Sequence, residues 1–178
     1  MTELISRVLI TPGRTELNGA LISNKGITEL YREYAGDYPK FFKMDSLCKL
    51  GFIAAELLLH TMSAEEKENC AIVLFNESGS LVTDRNYENT IVDADNYYPS
   101  PALFVYTLAN IVTGEIAIRH KIYGETSFYV TDKYDESYME RTVRNSLMTS
   151  HPSKILYGWV EYKDESDYLA DLKLVTNK

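Results

Sequence analysis

A long apolar helix followed closely by an apolar strand is the feature that most constrains the fold of this chain. Residues 44–62 (MDSLCKLGFIAAELLLHTM) repeat apolar side chains at spacings of three and four, and Asp45 can cap the helix that they predict. Because this helix is apolar on most of its sides, we expect it to be buried on most of them. Residues 70–75 (CAIVLF) form an unbroken apolar run, which is typical of a strand covered on both faces. Together the two segments predict an α/β protein.

The rest of the chain alternates between strand and helix patterns, which predicts a mixed sheet with helices interleaved among its strands. Asp171 and Lys173 alternate with apolar residues in the last strand, so one face of that strand is expected to be in solvent. Residues 24–43 are predicted as a connection with one helical turn, and residues 76–98 as a polar loop of unusual length, which suggests a functional or partner contact. The predicted strands are 7–11, 17–23, 70–75, 125–131, 154–162 and 168–175, and the predicted helices are 44–62, 101–120 and 135–148.

Length and charge exclude several classes of protein. The 178 residues fit a single domain, 1–178, and the formal net charge of -8 argues against a nucleic-acid partner. The surplus of negative charge lies after residue 60, because residues 1–60 hold equal numbers of basic and acidic side chains. The longest apolar run, residues 50–59, is too short to span a bilayer, and the amino terminus has no apolar stretch of signal-peptide length. We therefore expect a soluble, cytoplasmic protein without a membrane span.

Residue chemistry alone reveals no catalytic constellation. Cys48 and Cys70 fall in segments predicted to be buried, where free cysteines are ordinary small hydrophobes. Two cysteines and three scattered histidines have no zinc-ligand spacing, so we expect no metal and no cofactor. The stretch NESGS at residues 76–80 has one glycine and no Lys-Ser or Lys-Thr pair, which favours a plain turn over a phosphate loop. Asp93 and Asp95 are interpreted as solvated charges in a polar loop rather than as an acid–base pair.

Three segments nevertheless resemble a known family. Residues 41–59 (FFKMDSLCKLGFIAAELLL) are similar to a Lys-Met-Asp helix, residues 100–110 (SPALFVYTLAN) to a helix with a Thr-Leu-x-Asn core, and an ungapped run from Gly124 to Glu161 ends on a Gly-Gly-x-Glu-like strand. Over residues 40–175 the chain resembles the amino-terminal half of the β-ketoacyl-acyl carrier protein synthases, condensing enzymes of thiolase-like fold. The resemblance implies a single thiolase-like half of class α/β, in which helices cover a layered mixed sheet.

The departures from the family's pattern bear on activity. Counted from Gly124, Thr131 matches the family's threonine, Asp132 replaces an alanine, and Lys133 occupies the position of the nucleophilic cysteine. The family's two catalytic histidines come from a carboxyl-terminal half that these residues do not include. Condensation needs a thiolate, which an ammonium group cannot replace, so no catalytic residue is assigned to this chain. Lys133 is interpreted as a solvated charge at a helix start.

Three functions remain open at this stage. The first is a truncated, non-catalytic ketosynthase-like protein that acts as a partner or accessory subunit in fatty acid or polyketide-type lipid synthesis. The second is an active acyltransferase, or a component of a 3-oxoacyl-carrier protein synthase, that completes its site with a partner subunit. The third is a binding module for a carrier protein or an acyl chain.

The resemblance also implies two interaction surfaces. Acyl carrier protein is acidic and would dock on basic side chains near the Lys-Met-Asp helix, here Lys40, Lys43 and Lys49 together with Arg32. Condensing enzymes dimerise through the strand before the nucleophile position, here Phe128, Tyr129 and Val130. Unpaired strand edges of high strand propensity need a cover. We expect a homodimer, or a heterodimer with a full-length ketosynthase, and favour the homodimer for the isolated protein.

Overall fold

A seven-stranded mixed sheet forms the centre of the structure, a computed structural model that describes residues 2–177. The strands are β1 (Thr2–Thr11), β2 (Arg14–Leu17), β3 (Ala20–Ser23), β4 (Cys70–Asn76), β5 (Thr126–Val130), β6 (Lys154–Asp164) and β7 (Asp167–Asn177), in the order β3-β2-β1-β7-β6-β4-β5. The helices are α1 (Ile27–Tyr34), α2 (Ser46–Leu59), α3 (Ala64–Glu68), α4 (Leu81–Glu88), α5 (Pro101–Val105), α6 (Ile111–His120) and α7 (Glu136–Thr149), with 3-10 turns at Pro39–Lys43 and Ala94–Asn96. Strand β4 is parallel to β5 and β6, and the other pairs are antiparallel.

The apolar helix and strand are buried as their sequences predict. Asp45 caps α2 by accepting a 2.8 Å hydrogen bond from the backbone N–H of Cys48. Nearly every residue of α2 is buried, including Glu56 near its end, and every residue of β4 is buried. A strand covered on both faces reads as a continuous apolar run because neither face contacts water.

Each face of the sheet carries its own core. On one face, Ile72, Leu156 and Leu172 pack in a cluster with residues of α1, α2 and α6. On the other face, Phe75 and Trp159 pack with apolar residues of α7. The side chains of β4 alternate between these two cores, so this strand joins the two layers.

The main differences from the sequence-based expectations lie in short elements. The predicted strand 17–23 is two strands, because Asn18 (φ 53°) and Gly19 (φ 81°) form a tight turn that the Asn-Gly pair itself signals. The connection at 24–43 holds α1 and a 3-10 turn, and the polar loop at 76–98 holds α4. The predicted helix 101–120 is interrupted between α5 and α6, where Tyr106 turns into the interior.

The prediction that one face of β7 lies in solvent is also wrong. Asp171 is only 5% exposed, because Arg7 on the neighbouring strand β1 binds its carboxylate through two nitrogens at 2.7 Å. Lys173 forms an ion pair with Glu136 at the start of α7. Alternation of polar and apolar residues therefore marks ion pairs on this face rather than exposure to solvent.

Candidate functional site

The carboxyl ends of β4, β5 and β6 meet at one edge of the sheet, which is where open α/β sheets bind their ligands. The loop 131–135 leaves β5 at this edge and leads into α7. Its first residue is fixed to β4, because the backbone N–H of Thr131 donates a 2.8 Å hydrogen bond to the carbonyl of Asn76. The hydroxyl of Thr131 donates to the carbonyl of Lys133 at 3.1 Å. Lys133, which the family resemblance aligns with the nucleophilic cysteine, is exposed in this loop.

The residue after Lys133 is held by the sheet. The hydroxyl of Tyr134 donates a 3.0 Å hydrogen bond to Oδ2 of Asp171, and its ring meets Trp159 edge-on at 5.4 Å between centroids. Burial and the neighbouring carboxylate raise the pKa of Tyr134 above its ordinary range, so the hydroxyl stays a donor. The loop is thus anchored on both sides of Lys133.

In the loop after β4, side chains of the protein itself form hydrogen bonds with the backbone groups. The buried carboxylate of Glu161 accepts hydrogen bonds from the backbone N–H groups of Glu77 (2.8 Å) and Ser78 (3.1 Å) and from the Ser78 hydroxyl. The side chain of Asn76 forms hydrogen bonds to the backbone of Gly79 in both directions, at 2.8 and 3.0 Å. Because Glu161 occupies the backbone donors that could hold an anion, the NESGS stretch is a turn, as its composition predicts. The family resemblance includes Glu161, but no sequence pattern signals its contact with this loop.

Both thiols are poorly placed for nucleophilic chemistry. Burial, with a smaller contribution from Asp45, raises the pKa of Cys48 well above its ordinary value. Burial also raises the pKa of Cys70 to about 11. A thiol in such surroundings stays protonated at neutral pH and is not a ready nucleophile.

The three predicted docking lysines differ in their surroundings. Lys40 lies 2.8 Å from the carboxylate of Glu115, which is only 4% exposed and also accepts a 3.3 Å hydrogen bond from the Tyr106 hydroxyl. This contact raises the pKa of Lys40. Lys43 is exposed, and Lys49 is half-buried beside a groove of about 490 Å³. Lys40 is therefore the counterion of a buried carboxylate, whereas Lys43 and Lys49 have no ion pair within residues 2–177.

The predicted dimer strand lies at the edge of the sheet. Phe128 and Tyr129 are half-buried, and Val130 is 59% exposed. A groove of about 620 Å³ runs between β5 and α7 and is lined in part by Tyr129, Tyr138 and Arg141.

The three histidines lie away from the carboxyl-end edge, at the ends of α2 and α6 and before β6. His120 is buried with its Nε2 atom 3.4 Å from the carboxylate of Glu56, which Arg119 also binds. His60 ends α2, and His151 is exposed in the turn before β6. Within residues 2–177, no three histidine, cysteine or acidic side chains lie close enough together to hold a metal ion. None of the helices in this range is both long and apolar enough to cross a bilayer.

No protein-family model and no curated protein matches the sequence. Solved structures do resemble the chain. The ishigamide ketosynthase/chain length factor matches with a TM-score of 0.75 and 16% identity, over 99% of this chain and 62% of that one. A ketosynthase (ApeO) in complex with its chain length factor (ApeC) from Xenorhabdus doucetiae matches with a TM-score of 0.71 and 15% identity, over 99% of this chain and 79% of that one. The chain thus spans less than two thirds of the first structure's length.

These likenesses confirm the predicted fold class, a thiolase-like α/β architecture with a mixed sheet and covering helices. They also support the resemblance to ketosynthases at the level of the fold. At 15–16% identity they carry no residue roles to this chain.

Proposed function

We propose that this chain is a non-catalytic, ketosynthase-like subunit, folded as one domain over 1–178, that partners a ketosynthase in fatty acid or polyketide-type lipid synthesis in the cytoplasm. The observation that carries the proposal is that Lys133, which the family resemblance aligns with the nucleophilic cysteine, is exposed in a loop anchored by Thr131 and Tyr134. A neutral lysine would convert a thioester into an inert amide, and a charged lysine would not attack it. The loop is held in place and contains no cysteine; its Thr131 hydroxyl donates to a backbone carbonyl, and the raised pKa of Tyr134 keeps that hydroxyl protonated.

The buried cysteines support the same conclusion. A cysteine-based acyl-transfer role would require Cys48 or Cys70 to form a thiolate, and burial raises the pKa of both. Pairing with a ketosynthase is supported by a solved neighbour that is itself a ketosynthase in complex with its chain length factor. We propose that the pairing surface includes the β5 edge with Phe128, Tyr129 and Val130.

The proposal is tested by a condensation assay with acyl- and malonyl-carrier protein. We expect the pure chain to give no product above background. Lys133→Cys should also give none, because restoring a thiol does not restore the groups that stabilise the developing oxyanion. Condensation by the unmodified chain would refute the proposal. Iodoacetamide that blocks an acyl-transfer activity, and maps to Cys48 or Cys70, would refute it as well.

The partnership is tested by purifying the tagged chain from its native cell. We expect mass spectrometry to identify a ketosynthase in stoichiometric amount. Recovery of the chain alone, at a size of one copy in light scattering, would contradict a stable partnership.

A further inference from the structure

The turn between β2 and β3 contains a pair of residues that can react with each other without an enzyme. Asn18 is the one asparagine of the chain that precedes a glycine. The backbone nitrogen after an asparagine can attack the side-chain amide carbon, and glycine hinders this attack least because it has no side chain. Both residues are exposed, and a Cβ atom at Gly19 would meet no described atom within 4 Å apart from its chain neighbours. Solvent therefore reaches the reacting groups.

The reaction needs only water and a base. Hydroxide removes the proton of the Gly19 N–H, and the nitrogen forms a bond to Cγ of Asn18. The bond from Cγ to Nδ2 then breaks, and Nδ2 leaves as ammonia after taking a proton from water. Water opens the resulting five-membered succinimide at either carbonyl carbon, which gives aspartate or isoaspartate. In isoaspartate the main chain runs through Cβ and Cγ, so it is one atom longer.

The turn holds the reacting atoms apart. Leu17 pairs with Ala20, and both residues between them have positive φ, 53° at Asn18 and 81° at Gly19, which is the pattern of a type I′ turn. The first central residue of such a turn has a ψ of about +30°. At that angle the Gly19 nitrogen and the Asn18 Cβ lie on opposite sides of the bond from Cα to the carbonyl carbon. Ring closure requires both on the same side, so the turn must open before the nitrogen can attack.

Strand β1 holds the side chain and the main chain of Asn18 together. Oδ1 of Asn18 accepts 2.9 Å hydrogen bonds from the Ser6 hydroxyl and from the backbone N–H of Arg7. The backbone N–H of Asn18 donates a 2.8 Å hydrogen bond to the carbonyl of Arg7. Rotation of Asn18 disturbs all three bonds, which couples the reaction to local opening of the hairpin. The Ser6 hydroxyl is the partner that a side-chain substitution can remove.

The two donors to Oδ1 have opposite effects on the rate. They restrain the side chain, which opposes the rotation that brings Cγ to the Gly19 nitrogen. They also polarise the amide carbonyl, which would favour attack in the way that donors to an oxyanion do. Polarisation helps only when the nitrogen can reach Cγ, and the type I′ turn prevents this. Restraint by Ser6 and Arg7 therefore dominates in the folded chain.

We infer that Asn18 is a modification site gated by the β2–β3 hairpin: it converts to aspartate and isoaspartate when the hairpin opens, and Ser6 slows the conversion by holding Oδ1. An isoaspartate adds a main-chain atom between Leu17 and Ala20, which a two-residue turn cannot accommodate in the same register. Conversion to isoaspartate therefore loosens β3, the edge strand at the opposite end of the sheet from β5.

The test follows Asn18 by peptide mapping with mass spectrometry, because either product raises the mass by about 1 Da. The full chain is incubated at mildly alkaline pH beside a synthetic peptide of residues 14–23 (RTELNGALIS). We expect the peptide to convert about tenfold faster or more, since it lacks β1. Ser6→Ala should convert about threefold faster than the unmodified chain, as the loss of one exposed hydrogen bond allows. Ser166→Ala is the matched control, since it removes a hydroxyl bonded to Asp164 in the β6–β7 turn, and should keep the rate.

Asn145, which precedes a serine within α7, is measured in the same digests as an internal reference. Loss of the whole fold would raise conversion at both asparagines, so a rise at Asn18 alone identifies local opening of the hairpin. A parallel rise at both sites in Ser6→Ala would assign the effect to the whole fold and overturn the role of Ser6.

Three further outcomes overturn the inference. Equal rates in the full chain and the peptide would show that the turn does not gate the reaction. An unchanged or lower rate in Ser6→Ala, or an equal rise in Ser166→Ala, would show that Ser6 does not restrain Asn18. An unreactive peptide would show that Asn18 is not a modification site. None of these results depends on condensation activity, so the inference and the proposed function can fail separately.

Discussion

The hydroxyl of Tyr134 lies 3.0 Å from Oδ2 of Asp171, and this contact ties the loop that carries Lys133 to strand β7. The same carboxylate receives two nitrogens of Arg7 from β1, so one buried acid connects three separate parts of the chain. A reactive group in this loop would be held in place by these contacts. The family resemblance aligns Lys133 in this loop with the nucleophilic cysteine, and the proposed function rests on that alignment.

Removing the Tyr134 hydroxyl should weaken the fold measurably. We expect Tyr134→Phe to lower the free energy of unfolding by about 1 kcal/mol, the usual net contribution of such a hydrogen bond. Asp171→Ala should lower it further, because it also leaves the Arg7 guanidinium without its partner. Tyr123→Phe is the control, since Tyr123 is 75% exposed, and should change stability by less than about 0.5 kcal/mol. Urea unfolding checks all three, and an equal effect of Tyr134→Phe and Tyr123→Phe would contradict the role of the contact.

The sequence predicts the buried elements but not the contacts between distant residues. The cap of α2 by Asp45 is predictable because it depends on residues three apart. The second oxygen of Asp45 accepts a 2.6 Å hydrogen bond from Thr83 on α4, a segment without apolar periodicity, which the sequence predicts as loop. The burial of Asp171 has no sequence signal for a similar reason, since its partner Arg7 is distant in sequence. A sequence pattern indicates which face of a helix or strand is buried. Only the folded structure shows which polar groups from distant segments contact each other.

Gly158 should not tolerate a side chain. Its φ is +148°, and a Cβ atom there would lie 2.0 Å from the carbonyl oxygen of Asp171 on the paired strand. We expect Gly158→Ala to lower the free energy of unfolding by about 3 kcal/mol or more, because backbone rather than a flexible side chain must move. Gly114→Ala is the matched control, since Gly114 lies in α6 and a Cβ atom there would meet no described atom within 4 Å apart from its chain neighbours and its own helix backbone. It should raise stability by about 0.5–1 kcal/mol. Thermal unfolding measures the stability of both variants. If the two substitutions change stability similarly, the backbone between β6 and β7 can move apart to accommodate a side chain at Gly158.

Stability should fall as His120 is protonated. Burial lowers the pKa of His120 to about 3, with smaller contributions from the positive charges of Lys67 and Arg119. Since the folded-state pKa lies below the ordinary value of about 6.5, the neutral ring stabilises the fold above that pH, and this contribution is lost as the pH falls from about 6.5 toward 3. We expect the free energy of unfolding to decline over this window and that of His120→Gln to decline less steeply. His151→Gln, at an exposed histidine, should keep the slope of the unmodified chain. If the free energy of unfolding falls equally steeply with pH in the unmodified chain and in His120→Gln, then His120 is not the group responsible.

Replacing Lys40 should lower the free energy of unfolding. Its ammonium group is 2.8 Å from Glu115, whose second oxygen is buried without a hydrogen-bond partner among the described residues. Lys40→Gln would remove the counterion of a buried carboxylate, and we expect a loss of about 1–3 kcal/mol in urea unfolding. Lys43→Gln, three residues away and exposed, should change stability by less than about 0.5 kcal/mol. A neutral effect of both changes would show that the ion pair is not structural.

Docking of acyl carrier protein should therefore be tested at Lys43 and Lys49 rather than at Lys40. We expect the double variant Lys43→Glu and Lys49→Glu to fold normally, because neither side chain has an ion pair within residues 2–177. It should weaken the binding of an acidic carrier protein by about tenfold, since charges that reach the surface steer encounter and lose effect at high salt. Arg14→Glu with Lys121→Glu is a control of equal charge change at other exposed positions. Anisotropy of a labelled carrier protein measures the affinity of each variant. Unchanged affinity in the Lys43 and Lys49 variant, or an equal loss in the control, would show that this surface does not recognise the carrier protein.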